Sequence, residues 1–285
     1  MGEEDSAAVR IFLSDWMAAP AETAPGETVY AIGDVHGNSR LLKALAQWML
    51  ADARGASTRL SRLILLGDYI DRGSDGVGVL DWIGRLEAHP IDIVALFGNH
   101  ELLLYRFLFD PDCDIDLVEL WRRNGGDHFL RELGIEMESF YRYGVTAIRR
   151  QALERLPASA LACLDRLESS ARSGGYLFVH GGVDPLTPFD DDDTNTLTKM
   201  REPFLTGAGW RHDFVVVHGH TICGPDVAPH RVALDSGAFL TGVLTGVQLA
   251  GRRLRFVAAT SGEVSEGLKT VRGRRLTIEN WTPAN

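Results

Sequence analysis

Cysteine is scarce in this chain of 285 residues: Cys113, Cys163 and Cys223 are its three examples. They are odd in number and no two form a Cys-x-x-Cys pair. A disulfide framework and a thiolate zinc site are therefore excluded, and a reducing cytoplasm is the expected location. Long apolar runs are missing too. No stretch approaches the roughly 20 residues needed to cross a bilayer, so no membrane partner is expected. Positive charge is in deficit, with 29 Lys and Arg against 39 Asp and Glu, a formal net charge of −10. With no basic stripe available, nucleic acid is not expected as a partner. No internal repeat of fixed period is present.

What remains is a composition 45% hydrophobic, enough to bury a large core in one α/β domain. Residues 1–27 read as an appendage. The start is acidic (Glu3, Glu4, Asp5) where an export signal would be basic. Val9, Phe12, Leu13, Trp16 and Met17 recur at i, i+3, i+4, i+7 and i+8, which predicts an amphipathic helix. Pro20 and Pro25 then mark a linker. The domain itself is expected over residues 28–262, followed by a polar tail over 263–285.

The most informative stretch is Leu63-Ile64-Leu65-Leu66-Gly67-Asp68-Tyr69-Ile70-Asp71-Arg72-Gly73. Four apolar residues closed by glycine read as a buried strand. Asp68 and Asp71 follow at its end, with Arg72 beside them, a combination suited to metal and phosphate. The same pattern recurs. Val29 to Ile32 runs into Gly33-Asp34-Val35-His36-Gly37, Ile91 to Phe97 into Gly98-Asn99-His100-Glu101, Tyr176 to Val179 into His180-Gly181-Gly182, and Phe214 to Val217 into His218-Gly219-His220. Helical periodicity over Leu41–Ala53 and about Val77–Ala88 predicts βαβ units with ligand groups at the strands' carboxyl ends. The middle, Leu102 to Leu167, reads as helical. Trp121-Arg122-Arg123-Asn124-Gly125-Gly126 breaks it, either as a helix end with glycine or as a loop that meets substrate. A loop with the acidic run Asp190 to Asp193 is expected before Arg201, which should begin a short helix.

Five apolar runs ending in Asp, Asn or His make Asp34, His36, Asp68, Asn99, His180 and His220 the candidate ligands. Mixed carboxylate, carboxamide and imidazole donors suit Mn²⁺, Fe²⁺ or Zn²⁺ better than Ca²⁺. Six ligands suffice for two ions if one carboxylate bridges them, and two ions roughly 3.5–4 Å apart are a common device for hydrolysing phosphate esters.

In order, the Gly33-Asp34-Val35-His36-Gly37, Gly67-Asp68 to Asp71-Arg72-Gly73 and Gly98-Asn99-His100-Glu101 motifs resemble those of the phosphoprotein phosphatase branch of the calcineurin-like metallophosphoesterases. The resemblance extends through His180-Gly181-Gly182 and Gly219-His220-Thr221, and Met200 to Leu205 and Trp121 to Gly126 are similar to segments of its bacterial serine/threonine phosphatases. It implies a four-layer α/β sandwich of two mixed β-sheets flanked by helices. It also implies two divalent ions, Mn²⁺ first with Fe or Zn as alternatives. Asp34, His36 and Asp68 would hold one ion; Asp68, Asn99, His180 and His220 would hold the other. By the same resemblance, hydroxide from a water shared by the ions attacks phosphorus in line, and His100, oriented by Asp71, protonates the leaving oxygen. Arg72 and Arg201 would clamp the phosphoryl group, and the implied partner is a phosphorylated protein or peptide. His218 is expected to be structural. A small-molecule reading, hydrolysis of diadenosine tetraphosphate, stands as the alternative. Its bacterial members carry Ala-Arg-Gly and Gly-Asn-His-Asp where this chain has Asp71-Arg72-Gly73 and Glu101.

Overall fold

The computed structural model describes residues 8–55, 60–86, 91–261 and 281–284. In chain order the elements are β1 (Val9–Leu13), β2 (Met17–Ala18), β3 (Glu27–Ile32), α1 (Ser39–Gly55), β4 (Leu60–Leu65), α2 (Gly76–Gly84), β5 (Asp92–Ala95) and α3 (Asn99–Phe109). The helical middle follows: α4 (Ile115–Arg123), α5 (Gly126–Glu132), α6 (Glu138–Tyr143), α7 (Val145–Arg155) and α8 (Ala158–Asp165). Then come β6 (Ala171–Ser173), β7 (Tyr176–Phe178), α9 (Thr194–Lys199), β8 (Val215–His218), β9 (Asp226–Ala228), β10 (Arg231–Ala233), α10 (Ala238–Thr241), β11 (Val243–Ala250), β12 (Arg253–Ser261) and β13 (Thr282–Pro283).

Two sheets form, one ordered β13-β1-β12-β11-β3-β4-β5 with β2 also on β12, the other β6-β7-β8-β10-β9. Both are mixed. β3, β4 and β5 pair in parallel, as do β7, β8 and β10, while the flanking strands run antiparallel. The alternation of side chains along each strand builds the layers. Tyr30, Ile32, Leu63 and Leu65 face the helices α1 to α8. Their neighbours Val29, Ala31, Ile64 and Leu66 face Tyr176, Phe178, Val215 and Val217 of the other sheet. On the far side of that sheet, Leu177, Val179 and Val216 meet Leu197 of α9 and Phe204. Strands apolar on both faces thus give helix, sheet, sheet and helix-with-loop layers, the expected sandwich.

The N-terminal expectation is corrected. Val9–Leu13 is not helical but is strand β1, antiparallel to Val257–Ser261 of β12. Six apolar residues fall between Val9 and Met17; Val9, Ile11 and Leu13 alternate as in a strand while the others keep the helical spacing, and the open edge of β12 offers backbone partners that decide between them. Val9, Ile11 and Leu13 pack toward the helix-side core and Phe12 is buried. Trp16 does not join an apolar face but lies against the guanidinium groups of Arg253 and Arg255, 5.0 and 4.8 Å away. Of the expected polar tail, 263–280 and Asn285 lie outside the described residues. Thr282 and Pro283 pair with β1. Nor does Arg201 begin a helix; it follows α9, and turns run from 202 to 209.

Candidate metal centre

The parallel pairings bring the chemistry together. Because β3, β4 and β5 point the same way, Asp34, His36, Asp68, Asn99 and His100 emerge at one end of their sheet. β7 and β8 deliver His180 and His220 at the matching end of the other. The two sets meet across the sandwich, with His180 Nε2 3.2 Å from Asp68 Oδ1 and 3.2 Å from Asn99 Oδ1. His36 Nε2 is 3.5 Å from the other oxygen of Asp68. Asp34 accepts the His220 backbone N–H through both carboxylate oxygens, at 3.0 Å each.

The backbone is bent to achieve this. Among the described residues, His36, Asp68, Asp71, Arg72 and His220 hold positive φ values of 44°, 51°, 67°, 64° and 62°. Non-glycine residues seldom adopt this region, and strain of this kind gathers at functional sites. Gly67, at φ 100°, admits no side chain, since a Cβ there would lie 2.5 Å from Gly98 N. Glu101 holds the turn in place. Its Oε1 accepts the N–H of Tyr69 and Ile70 at 2.8 and 3.2 Å, and its Oε2 those of Asp68 and Gly98 at 2.8 and 3.0 Å.

The donor set fits metal ions. Two groups, His36–Asp68–His100 and Asp68–His180–His220, each bring their ligand atoms within 4.8 Å of one another, and Asp68 is common to both. His36 and His180 donate Nδ1–H to the carbonyls of Ile70 (2.8 Å) and Leu66 (2.9 Å), which turns both Nε2 atoms toward Asp68. His220 Nε2 is buried with no hydrogen-bond partner, an atom a cation would satisfy. Burial holds His36 at about 3 and His220 at about 2, so both rings are neutral with a lone pair available. Burial also raises the Asp34 carboxyl, as do the charges of Asp235 and Asp68. Burial alone would lower His180, but the charge and hydrogen bond of Asp68 overcome it and push that ring up to about 9. Carboxylates buried this close together are groups that a cation would stabilise.

His100 differs from the other rings. Its Nδ1 lies 2.6 Å from Asp71 Oδ2, a carboxylate in place of a backbone carbonyl. Its Nε2 faces Arg72 Nη2 at 3.1 Å, and the same guanidinium reaches His36 Nε2 at 3.1 Å. Arg201 is exposed, close enough that its charge helps lower the His220 ring after burial and the charge of His180. His218 packs on Phe204 at 5.0 Å and joins neither group.

Three further residues belong here: Asp235 and Phe239, which sequence reasoning did not single out, and Trp121, which it noted only as part of the break before Gly125. Asp235 is buried near Asp34, and its carboxyl is raised to about 6 by burial first. It ends another apolar strand followed by glycine, Val232-Ala233-Leu234-Asp235-Ser236-Gly237, the pattern that marks the other sites. Phe239 lies edge-on to His36 and under the Arg72 guanidinium, at 5.1 and 5.0 Å; nothing in its local sequence signals this. Trp121 donates to Asp71 at 2.8 Å.

Comparison with known proteins agrees with this geometry. In sequence, 81 residues are 33% identical to a zinc-dependent endopolyphosphatase of Saccharomyces cerevisiae, a match spanning 28% of this chain and 23% of that protein. The fold is similar to that of a candidate diadenosine tetraphosphatase (TM-score 0.55, 19% identity, 86% of this chain and 100% of that one). It is also similar to a mutant cold-active protein tyrosine phosphatase (TM-score 0.50, 19% identity, 82% and 80%). Residues 27–235 match the family described as calcineurin-like phosphoesterase. That span carries every strand end described above, and the chain accordingly belongs to the calcineurin-like phosphoesterases, metal-dependent hydrolases of phosphoric esters.

Proposed function

We propose that the chain is a phosphomonoesterase of the phosphoprotein phosphatase branch, acting on phosphoserine and phosphothreonine in protein. The observation that carries this reading is the carboxylate-backed imidazole, His100 Nδ1 to Asp71 Oδ2 at 2.6 Å. A serine or threonine alkoxide is a strong base and leaves poorly unless protonated. A nucleotide or phosphate released from an anhydride is a far weaker base and needs little help. Asp71 is the residue that diadenosine tetraphosphate hydrolases of the Ala-Arg-Gly pattern replace by alanine. Its presence favours an ester with a basic leaving group.

The residues then divide the work. Asp34, His36, Asp68, Asn99, His180 and His220 would hold two divalent ions, Mn²⁺ being the proposed pair. Such ions make water a stronger acid and neutralise charge on phosphoryl oxygens. Arg72, between the Nε2 atoms of His36 and His100, would grip two phosphoryl oxygens and Arg201 would approach from the His220 side. His100 would pass a proton from Nε2 to the leaving oxygen, while Asp71 keeps the ring oriented through its Nδ1.

The test is a substrate panel with Mn²⁺: phosphoserine and phosphothreonine peptides, phosphotyrosine peptide, diadenosine tetraphosphate, polyphosphate and p-nitrophenyl phosphate. Phosphoserine or phosphothreonine peptides should give the highest kcat/KM among the biological substrates. Exhaustive chelation should abolish turnover of all of them, and Mn²⁺ should restore it. A higher kcat/KM for diadenosine tetraphosphate would transfer the reading to dinucleoside polyphosphates, the activity suggested by the similar fold of the candidate tetraphosphatase. Turnover that survives chelation would overturn both.

A further inference from the structure

The break at Trp121-Arg122-Arg123-Asn124-Gly125-Gly126, between α4 and α5, is left without a part in the reaction as described so far. Trp121 is fully buried and packs against Phe107 and Phe129, at ring distances of 5.5 and 6.1 Å. A buried indole needs one acceptor, and a nearby backbone carbonyl would serve. Instead Nε1 donates at 2.8 Å to Asp71 Oδ2, the same oxygen that takes the His100 Nδ1–H. Asp71 Oδ1 is buried and has no hydrogen-bond partner. The carboxylate is therefore held through one oxygen, by His100 and Trp121 together. Indole can donate but not accept, so its presence keeps that oxygen an acceptor toward His100.

The glycines after Trp121 fit the same account. A Cβ at Gly126 would lie 2.5 Å from Trp121 Cδ1 and 2.5 Å from Nε1, so any side chain there would displace the donating edge of the indole. Gly125 has φ +101°, and a Cβ on it would lie 2.9 Å from Arg72 Cγ. The turn also takes the Arg72 main chain and side chain. Arg72 N donates to Gly125 O at 3.5 Å, and Arg72 Nε to Asn124 O at 3.4 Å. One six-residue turn thus touches both members of the Asp71–Arg72 pair through separate atoms.

We infer that Trp121–Gly126 is a positioning clamp with two separable halves: the indole, in the space left by Gly126, aligns Asp71 and through it His100, while the Asn124–Gly125 turn aligns Arg72. The inference rests on the reading of His100 as proton donor and Arg72 as phosphate contact, and it makes Trp121 a positioning residue for the departure of the leaving group.

The two halves should separate in kinetics. The measurement uses the Mn²⁺-loaded full chain with phosphate monoesters of graded leaving-group basicity, from p-nitrophenyl phosphate through phenyl phosphate to a phosphoserine peptide. His100→Asn should lose about 10²–10⁴-fold in kcat on the phosphoserine peptide, and much less on p-nitrophenyl phosphate, whose leaving group needs little protonation. Trp121→Phe, which keeps an aromatic ring but removes the N–H, should reproduce the same slope at smaller amplitude, about 10-fold on the peptide and under about twofold on p-nitrophenyl phosphate. Gly126→Ala should give that slope through displacement of the indole, which keeps the test decisive where Trp121→Phe fails to fold. Gly125→Ala should instead raise KM for every ester alike. A merely structural turn would scale all substrates equally in all three variants and leave KM unchanged; that result overturns the clamp. If His100→Asn itself shows no dependence on leaving group, the role of His100 falls first and the clamp with it. A steep series for His100→Asn beside flat ones for Trp121→Phe and Gly126→Ala overturns the clamp alone.

Discussion

At the scale of single residues, the site separates imidazoles by their Nδ1 partner. His36 and His180 are tied to backbone carbonyls, whereas His100 is tied to a carboxylate. A carbonyl only orients a ring, while a carboxylate can also share the charge of its protonated form, here against the burial that lowers the His100 ring to about 4. This difference distinguishes proposed ligand from proposed acid, even though His100 Nε2 lies only 3.7 Å from Asp68 Oδ2. His100→Asn should accordingly retain its full metal content, measured by mass spectrometry of the purified protein, while turnover collapses. Asp68→Asn should lose metal as well as activity, because the carboxylate common to both groups is gone. Equal metal loss in the two variants would make His100 a ligand. Glu101 gives a second case. Four backbone N–H groups converge on its carboxylate, and Glu101→Gln would turn an amide NH₂ against some of them. Each N–H left without an acceptor costs about 1–3 kcal/mol, so a clear fall in Tm is expected before any effect of metal is considered.

At the scale of elements, the acidic loop ahead of α9 is more constrained than a freely solvated run. Asp193 accepts the Thr196 N–H at 3.0 Å as the N-cap of α9, Asp191 takes the Ser170 hydroxyl at 2.5 Å, and Asp190 accepts the Asp192 N–H at 3.0 Å. Asp190 and Asp193 also line a recess with Asp184, Phe189, Leu197 and Met200, the last adjoining Arg201. Carboxylates there should repel acidic peptides and attract basic ones within a Debye length of about 8 Å. Replacing Asp190 to Asp193 by Asn preserves the capping geometry, since Asn caps helices nearly as well as Asp. That variant should raise kcat/KM for acidic phosphopeptides and lower it for basic ones, both differences shrinking with added salt. p-Nitrophenyl phosphate should be unaffected. An unchanged peptide preference at low salt would show that the loop does not select substrates.

At the scale of the whole molecule, β1 is part of the sheet that carries β3, β4 and β5, although it precedes the residues that match the family. It covers the edge of β12 with five paired residues and adds buried Phe12 to the molecule. Burial of a large apolar side chain contributes about 1.5–3 kcal/mol, and a bare β12 edge would invite pairing with other chains. Deleting residues 1–18 should therefore lower Tm and promote aggregation, read by calorimetry and light scattering. A truncated protein with unchanged Tm would restore these residues to the status of an appendage. The ends are joined as well, since β13 near the C-terminus pairs with β1.

The sequence by itself determined the parallel core and the candidate donors, because each depends on local pattern. Apolar runs at Val29–Ile32, Leu63–Leu66, Ile91–Phe97, Tyr176–Val179 and Phe214–Val217 are short and closed by turn signals, as strands buried on both faces are, and each ends in the residue types a cation requires. Asp235 obeys the same rule and was legible in principle. Tertiary structure alone decided the rest. Whether Val9–Leu13 coiled or extended depended on the free edge of β12, some 250 positions away in sequence, since the apolar spacing satisfied both periods. Trp121 read equally well as a core residue closing a helix, and only the fold brings its N–H to Asp71. The Arg72–Phe239 contact likewise joins residues on opposite sides of the chain's long middle. Side chains that act by position alone carry no local periodicity, so the fold has to bring them together before their role can be seen.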